Sequence, residues 1–293
     1  MLLGLKQTIP VSVGYMVLSA LGFALMAACV KQVSTYGIPV LEIVAVRALI
    51  SALLSYADIK RKNLSPWGIN KPLLFARGLV GAIALFFVYY SVTTLPLAEA
   101  TLLQYLHPVF TAILALVFLK EAIQRSTLSC ITLSMLGLVV MVAPNFTINQ
   151  SGELAYSWLS IGAAILGALG SAVAYVIVKK LTKTDDSSVI VFYFPFIALP
   201  VAIILGGSEF VMPSLPAMGL LLLVGIFTQV GQVGLTKALA SADASKATGY
   251  AYVQVIFSVL IGWAYFSEVP TLTTLIGGGL IIGGALVNVL WKR

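Results

Sequence analysis

Long apolar runs constrain this chain more than any other feature of its sequence. A transmembrane helix needs about 20 mostly apolar residues to cross roughly 30 Å of hydrocarbon. Ten segments of the sequence meet this requirement: 11–31, 38–57, 73–95, 97–119, 126–143, 157–179, 187–205, 216–236, 244–266 and 269–291. Only 9% of the 293 residues are charged, against about 25% in soluble domains, so the solvent of this chain must be lipid. The runs do not alternate apolar and polar residues, which excludes a transmembrane barrel. The sequence therefore predicts an all-α polytopic membrane protein with ten transmembrane helices.

The positions of the basic residues predict the orientation in the membrane. The net charge of +7 comes from short clusters between apolar runs, which fits membrane-surface loops and does not suggest binding to nucleic acid. Cytoplasmic loops carry an excess of Lys and Arg, and such clusters lie at 60–62, 120–125 and 179–183. The opposite loops carry only Lys31. Both termini are therefore expected in the cytoplasm, and the expected location is the plasma (inner) membrane.

The sequence also repeats itself. The segment Leu18-Ser-Ala-Leu-Gly22 matches Leu166-Gly-Ala-Leu-Gly170 at an offset of 148, and Tyr105 matches Tyr252 at an offset of 147. Two halves, 1–147 and 148–293, therefore hold five spans each. Because five is odd, the second half is expected to lie upside down in the membrane relative to the first. Inverted repeats of this kind are typical of secondary transporters, whose binding site lies near the midplane where the halves meet.

The second part of each repeat carries a related motif. The first copy runs Leu95-Pro-Leu-Ala-Glu-Ala100, then His107-Pro108, and ends with Glu121. The second copy runs Ala242-Asp-Ala-Ser-Lys-Ala247 and ends with Glu268 before a glycine-rich span. These segments resemble the EamA module of the drug/metabolite transporter superfamily, and two tandem copies cover nearly the whole chain. The second copy departs from the first in having valine at position 255, where Pro108 would be expected.

The resemblance implies a fold and a mechanism. It implies ten helices and a central cavity lined mainly by the first, third and fourth helices of each half. It also implies alternating access, with export or exchange of metabolites such as amino acids, nucleotides or nucleotide-sugars. A family of this breadth indicates transport but does not identify one substrate.

Two arginines lie within predicted spans, where a charged side chain costs about 2.5–3.5 kcal/mol on insertion scales. Arg47 is near the middle of the second span, and it is expected either to hold an anionic substrate group or to pair with Glu42. Arg77 lies one turn inside the cytoplasmic end of the third span. Its long side chain is expected to reach the headgroups or to close an inner gate, with substrate binding as the alternative.

The fourth span has one small and polar face. Its residues recur at helical spacing; they are Ala100, Gln104, His107, Thr111 and Ala115, and Gln254 and Ser258 lie at matching places in the ninth span. Lipid cannot satisfy the hydrogen bonds of such a face, so it must line a cavity or pack against another helix. His107 is the single histidine, and three roles are open to it: proton coupling, substrate binding and plain packing.

Other polar residues in the spans are further candidates for substrate binding. They are Gln229 and Gln232 on the eighth span, and Tyr89, Tyr175 and Tyr250, whose rings either pack or line a pore. Glu99 and Lys246 occupy equivalent positions in the two repeats near opposite membrane surfaces. They are candidates for outer and inner gates, or plain helix-end charges. The glycines at 277–279, 283 and 284 favour a packing or dimer surface, which leaves monomer and homodimer open.

Other classes of function lack the residues they need. An intramembrane hydrolase requires a nucleophile and base, a pair of aspartates or a metal triad, and no such motif occurs, so no enzyme activity, metal or cofactor is expected. A channel would need rings of charge or carbonyls around an axis, and nothing in the sequence suggests such a ring. The expected function is secondary transport of a small polar or amphiphilic metabolite, with an amino acid or related carboxylate favoured over a nucleotide-like one. The alternative of another class is a non-transporting receptor or structural protein.

Overall fold

A computed structural model describes residues 10–94, 103–142, 157–267 and 269–291, and this part of the chain is helical, with no strand. Its helices are α1 (Val11–Ser34), α2 (Val40–Arg61), α3 (Lys71–Thr94), α4 (His107–Leu119), α5 (Arg125–Val142), α6 (Trp158–Leu181), α7 (Ser187–Gly206), α8 (Leu215–Ser241), α9 (Ala244–Phe266) and α10 (Leu272–Leu290). Within the described ranges, eight helices are long and apolar enough to cross a membrane, and α4 and α5 are shorter apolar helices. The expectation of an all-helical membrane fold is confirmed, while the count of ten spans stays a prediction.

Helices α4 and α9 are not regular throughout. A turn at 105–106 precedes α4, which begins at His107 with Pro108 in its first turn, where a missing backbone N–H removes no helical bond. The last turn of α4 is a π-helix over Ala115–Leu119, and α9 contains a 3₁₀ turn over Tyr250–Tyr252. Both irregular stretches lie within the spans predicted at 97–119 and 244–266. Local departures of this kind occur frequently at functional sites.

The long helices pair between the two predicted halves. Helix α1 packs along α8, and α3 packs along α6; α2 packs along α7, and α5 along α10. Replacing each helix by its counterpart five places along the chain turns the α1–α8 pair into the α3–α6 pair. The same replacement leaves the α2–α7 and α5–α10 pairs unchanged. The two halves therefore pack against each other through all eight of these helices.

Glycines permit the closest of these contacts. A Cβ atom on Gly22 of α1 would lie 2.8 Å from the backbone nitrogen of Gly231 on α8. On α10, a Cβ atom on Gly284 would lie 3.0 Å from a backbone oxygen of α5, whereas one on Gly279 or Gly283 would meet nothing within 4 Å. The predicted glycine surface is thus divided: one side packs against α5 within the chain, and the other faces outward.

A polar network joins α2 to the start of α7 at the end predicted to be cytoplasmic. Lys62 Nζ lies 2.9 Å from Asp186 Oδ1 and 3.0 Å from Asp58 Oδ2, and the Ser188 hydroxyl donates to Asp58. Burial alone would lower the pKa of Lys62, but the hydrogen bonds to Asp186 and Asp58 outweigh it and raise that pKa. Burial raises the pKa of Asp186, but its hydrogen bonds with Lys62 and Ser188 outweigh burial and lower that pKa. These contacts hold this end of the two halves together.

Candidate functional site

A small cavity lies between helices of the two halves. Its volume is about 20 Å³, which is room for roughly one water molecule. Its lining residues are Met16, Ser19, Ala20, Phe23, His107, Tyr175, Leu235, Ala251 and Gln254. The structure thus brings together three side chains that the sequence singled out on separate spans, namely His107, Tyr175 and Gln254. The lining helices are the first and fourth of each half and the third of the second half, whereas the family resemblance implied the third helix of the first half as well.

His107 presents its ring to this cavity. The imidazole is buried, and it meets the ring of Tyr175 edge-on at a centroid distance of 5.3 Å. Its Nδ1 atom has no hydrogen-bond partner among the described residues. Thr111, one turn along, donates its hydroxyl to the His107 carbonyl oxygen at 2.7 Å, so in this structure Thr111 stabilises the irregular helix and does not line the cavity.

Arg77 lies near Tyr175, and its side chain is directed into the protein interior. Its Nη2 donates to Gln232 Oε1 at 3.3 Å, and its guanidinium lies 5.0 Å from the centroid of the Phe194 ring. Tyr175 is close enough to interact with it electrostatically. The residue is only 3% exposed, and its Nε and Nη1 have no partner among the described residues. The interpretation of Arg77 as a side chain that reaches the headgroups is wrong for this structure, because its neighbours on α7 and α8 enclose it.

Arg47 approaches the same aromatic ring from α2. Its guanidinium carbon lies 5.7 Å from the Phe194 centroid, and the residue is 7% exposed. The alternative that pairs Arg47 with Glu42 is wrong, since Glu42 Oε2 instead accepts the backbone N–H of Val211 at 2.9 Å. No ion pair between described residues includes Arg47 or Arg77.

The aromatic contact of Arg47 does not offset the cost of a charge near the middle of a span. A cation–π contact contributes about 0.5–1 kcal/mol at exposed sites and about 2 kcal/mol when desolvated. Placing one arginine in the middle of a membrane helix costs about 2.5–3.5 kcal/mol even on the lowest scales. No ion pair among the described residues neutralises Arg47 or Arg77, so an anion would compensate charge at this site.

Two predicted site residues make helix-to-helix bridges. Gln229 Oε1 accepts the hydroxyl of Ser51 at 2.6 Å, and its Nε2 donates to Ser55 at 2.8 Å. Gln104 Nε2 donates to Ser171 Oγ at 3.3 Å, and its Oε1 has no partner among the described residues. Gln229 also borders a larger groove of about 260 Å³ between α1 and α8, but that groove is almost entirely apolar and offers little to a polar solute.

The remaining candidates lie apart from the cavity or outside the described residues. Tyr250 is buried, with no described partner for its hydroxyl, and Ser258 is exposed one turn beyond the cavity. Lys246 is half-buried in the first turn of α9. The side chain of Tyr89 and the whole of Glu99 lie outside the described residues, so their proposed roles stay predictions. Across the described ranges, no three His, Cys, Asp or Glu side chains are grouped to hold a metal ion.

Sequence reasoning missed the role of the motif glutamate. Glu121, in the connection after α4, accepts the backbone N–H of Ala244 at the start of α9 with an N···O distance of 2.7 Å. Burial raises the pKa of Glu121, although this hydrogen bond opposes the rise. Nearby, Lys179 Nζ donates to the carbonyl oxygens of Leu239 at 2.9 Å and Ala242 at 2.6 Å, at the end of α8. Glu121 thus satisfies a free backbone group at a helix end of the other half, and Lys179 does the same at a helix end within its own half.

A second missed contact joins equivalent residues of the two repeats. The rings of Tyr105 and Tyr252 stack at a centroid distance of 5.7 Å, and the Tyr252 hydroxyl donates to the Tyr105 carbonyl oxygen at 3.0 Å. The 147-residue offset was a signal that these residues are equivalent. It did not indicate that they touch.

The family model for the EamA-like transporter family matches residues 11–143 and 158–290. The chain belongs to this family. The two matches are tandem EamA modules, and each covers five of the helices described above. An EamA-family protein with these apolar helices is an integral membrane protein.

Relatives of this EamA-family chain are transporters. The pseudopaline exporter CntI of Pseudomonas aeruginosa is 34% identical over 269 residues, which cover 91% of each chain. Solute carrier family 35 member G1 of Mus musculus is 32% identical over 286 residues, covering 92% of this chain and 75% of that protein. The S-adenosylmethionine uptake transporter of Rickettsia felis is 28% identical over 197 residues, covering 67% and 64%. These relatives support the conclusion that this chain is a membrane transporter, but their names do not agree on a transported solute.

A solved crystal structure shares the fold of this EamA-family chain. Its TM-score is 0.81 at 18% sequence identity, and the match covers 95% of this chain and 96% of the other. At that identity the likeness concerns the helical architecture only.

Proposed function

We propose that this protein is a secondary transporter that exports or exchanges a small metabolite bearing a carboxylate, by alternating access across the plasma (inner) membrane. The family and the relatives support membrane transport. The observation that carries the finer proposal is the cavity at the meeting of the two modules, where both halves contribute polar side chains.

Unpartnered polar atoms of one lining residue and of two further buried or half-buried residues support substrate binding at this site. His107 Nδ1 and two nitrogens of Arg77 have no partner among the described residues, and neither has Gln104 Oε1. A buried polar group without a hydrogen bond costs about 1–3 kcal/mol, and lipid offers no partner. A carboxylate with further polar groups would supply acceptors for the arginine and donors or acceptors for the others.

The packing of the two modules supports alternating access. The helix pairs keep their pattern when each helix is exchanged with the one five places further along, which is what an inverted repeat would produce. In inverted-repeat carriers, one bundle moves against the other around a fixed site. The 3₁₀ turn of α9 contains Ala251, which lines the cavity, and is a suitable place for such movement.

Flux measurements test the function. Purified protein in proteoliposomes should catalyse saturable uptake of an amino acid or related carboxylate, faster when the same solute is trapped inside. His107→Ala and Gln254→Ala should raise the half-saturation concentration non-additively, because both residues line one cavity. Imposing and collapsing a pH gradient separates proton coupling from exchange. Protein that is folded but shows no flux above empty liposomes for any library metabolite contradicts the proposal.

Cysteine accessibility tests the site and the membrane orientation. In a background without the two native cysteines, His107→Cys and Gln254→Cys should react with soluble reagents and be protected by substrate. Ile113→Cys, on the exposed side of α4, should show no substrate protection. Asn149→Cys should react from outside and Asn63→Cys should not, if both termini are cytoplasmic; the opposite pattern would reverse the topology.

A further inference from the structure

The interior of this protein carries positive charge that its own described acidic side chains do not neutralise. Arg47 and Arg77 are both buried within helices. Glu42 is the one described acidic residue that is buried near either of them in sequence, and its carboxylate already accepts a backbone N–H on another helix. The other described acids lie at helix ends or in connections. The described part of the chain thus leaves no carboxylate for the two guanidinium groups, and a bound ligand can supply one.

The geometry places the two guanidinium groups within reach of one small molecule. One lies 5.7 Å and the other 5.0 Å from the same Phe194 centroid, so they are at most about 11 Å apart. Two nitrogens of Arg77 have no partner among the described residues, while the third donates a hydrogen bond to Gln232. Guanidinium groups bind carboxylates with parallel hydrogen bonds. Two such groups at this separation can each receive one acidic group of the same solute.

We propose that the transported metabolite is a net anion with two acidic groups, one held by Arg77 together with Gln232 and the other by Arg47. The inference rests on the proposed transport function and narrows its substrate class. A zwitterion with one carboxylate would leave one arginine without a counter-charge. Its ammonium group would also meet two like charges, with no free carboxylate among the described interior residues to receive it.

Matched ligand pairs on the wild-type protein provide the first test. Succinate, glutarate and adipate differ in the spacing of two carboxylates, and the monoamide of each removes one charge at nearly constant shape. Binding is measured by thermal shift and by inhibition of flux in proteoliposomes. At least one dicarboxylate should bind ten-fold or more tightly than its monoamide. If the protein transports other metabolites and no dicarboxylate exceeds its monoamide, the inference is overturned and the transport function stands.

Variants then assign the two acidic groups. Arg47→Gln should abolish the preference for the dicarboxylate over its monoamide, whereas Arg77→Gln should weaken the binding of both ligands. Arg47→Lys keeps the charge and should retain part of the preference. Arg61→Gln is the matched control, because Arg61 lies at the end of the same helix with a side chain that is 78% exposed. It should leave binding unchanged.

The outcomes distinguish this inference from the function on which it rests. A full dicarboxylate preference in folded Arg47→Gln protein overturns the assignment to Arg47. If Arg47→Gln does not fold, the wild-type ligand pairs and Arg47→Lys still decide the question. The absence of flux for every metabolite overturns the transport proposal itself.

Discussion

Glu121 should stabilise the contact between the two modules, and Glu121→Ala tests this role. The carboxylate accepts the backbone N–H of Ala244 at 2.7 Å, and a buried donor left without its partner costs about 1–3 kcal/mol. Glu121 is half-buried, so water can replace part of the lost bond, and we expect about 1–2 kcal/mol. Each kcal/mol lowers Tm by about 2–4 °C in a chain of this size. Thermal unfolding in detergent, followed by tryptophan fluorescence, should therefore show a fall of about 2–8 °C.

Two further variants separate this hydrogen bond from other effects of the substitution. Glu121→Gln keeps a carbonyl oxygen that can accept the same N–H, and burial disfavours the charge it removes, so its Tm should stay close to that of the wild type. Glu209→Ala removes an exposed glutamate at the end of α7 and should not change Tm. If Glu121→Ala unfolds at the same temperature as Glu209→Ala, the reasoning is refuted.

Three other predictions concern stability. Gly22→Ala should destabilise the protein by about 1–3 kcal/mol because its Cβ would overlap the backbone of α8, whereas Gly14→Ala, with nothing within 4 Å, should not; equal melting of the two contradicts the close contact. Tyr252→Phe should lower the free energy of unfolding by about 0.5–1.5 kcal/mol because its hydrogen bond is lost. Tyr265→Phe, at an exposed position, should not change it, and the same unfolding assay compares the two variants. The raised pKa of Glu121 means that the folded state binds its proton more tightly than the unfolded state does, so wild-type stability relative to Glu121→Gln should be greatest below the ordinary glutamate pKa and should fall as pH rises through the folded pKa. A constant difference in Tm between about pH 4 and pH 8 would contradict this.

Much of the architecture was predictable because hydrocarbon thickness dictates the length of an apolar helix. The run predicted at 11–31 is helix Val11–Ser34, and the one at 187–205 is helix Ser187–Gly206. The ends differ by a few residues because polar side chains can continue a helix beyond the hydrocarbon. Breaks inside spans were less predictable. Pro108 directly follows the break before α4, but no proline accompanies the 3₁₀ turn of α9.

The candidate site was predictable in its residue types and only in part in its membership. His107 and Gln229 both looked like polar residues on a helix face. In the structure one lines a cavity, and the other bridges two serines of α2. A single sequence does not contain this difference, because it depends on how the neighbouring helix is rotated about its own axis.

By itself the sequence determined that this chain is a helical membrane protein built from two EamA-like modules, because hydropathy and the internal repeat are properties of the chain alone. Only the tertiary structure decided which charged side chains lie close to each other. Arg47 and Arg77 are separated by a loop and belong to different helices, yet both lie against Phe194 from the other module. That meeting depends on the packing of α2 and α3 against α7, which buries both arginines and keeps Arg77 away from the headgroups that its side chain could otherwise reach.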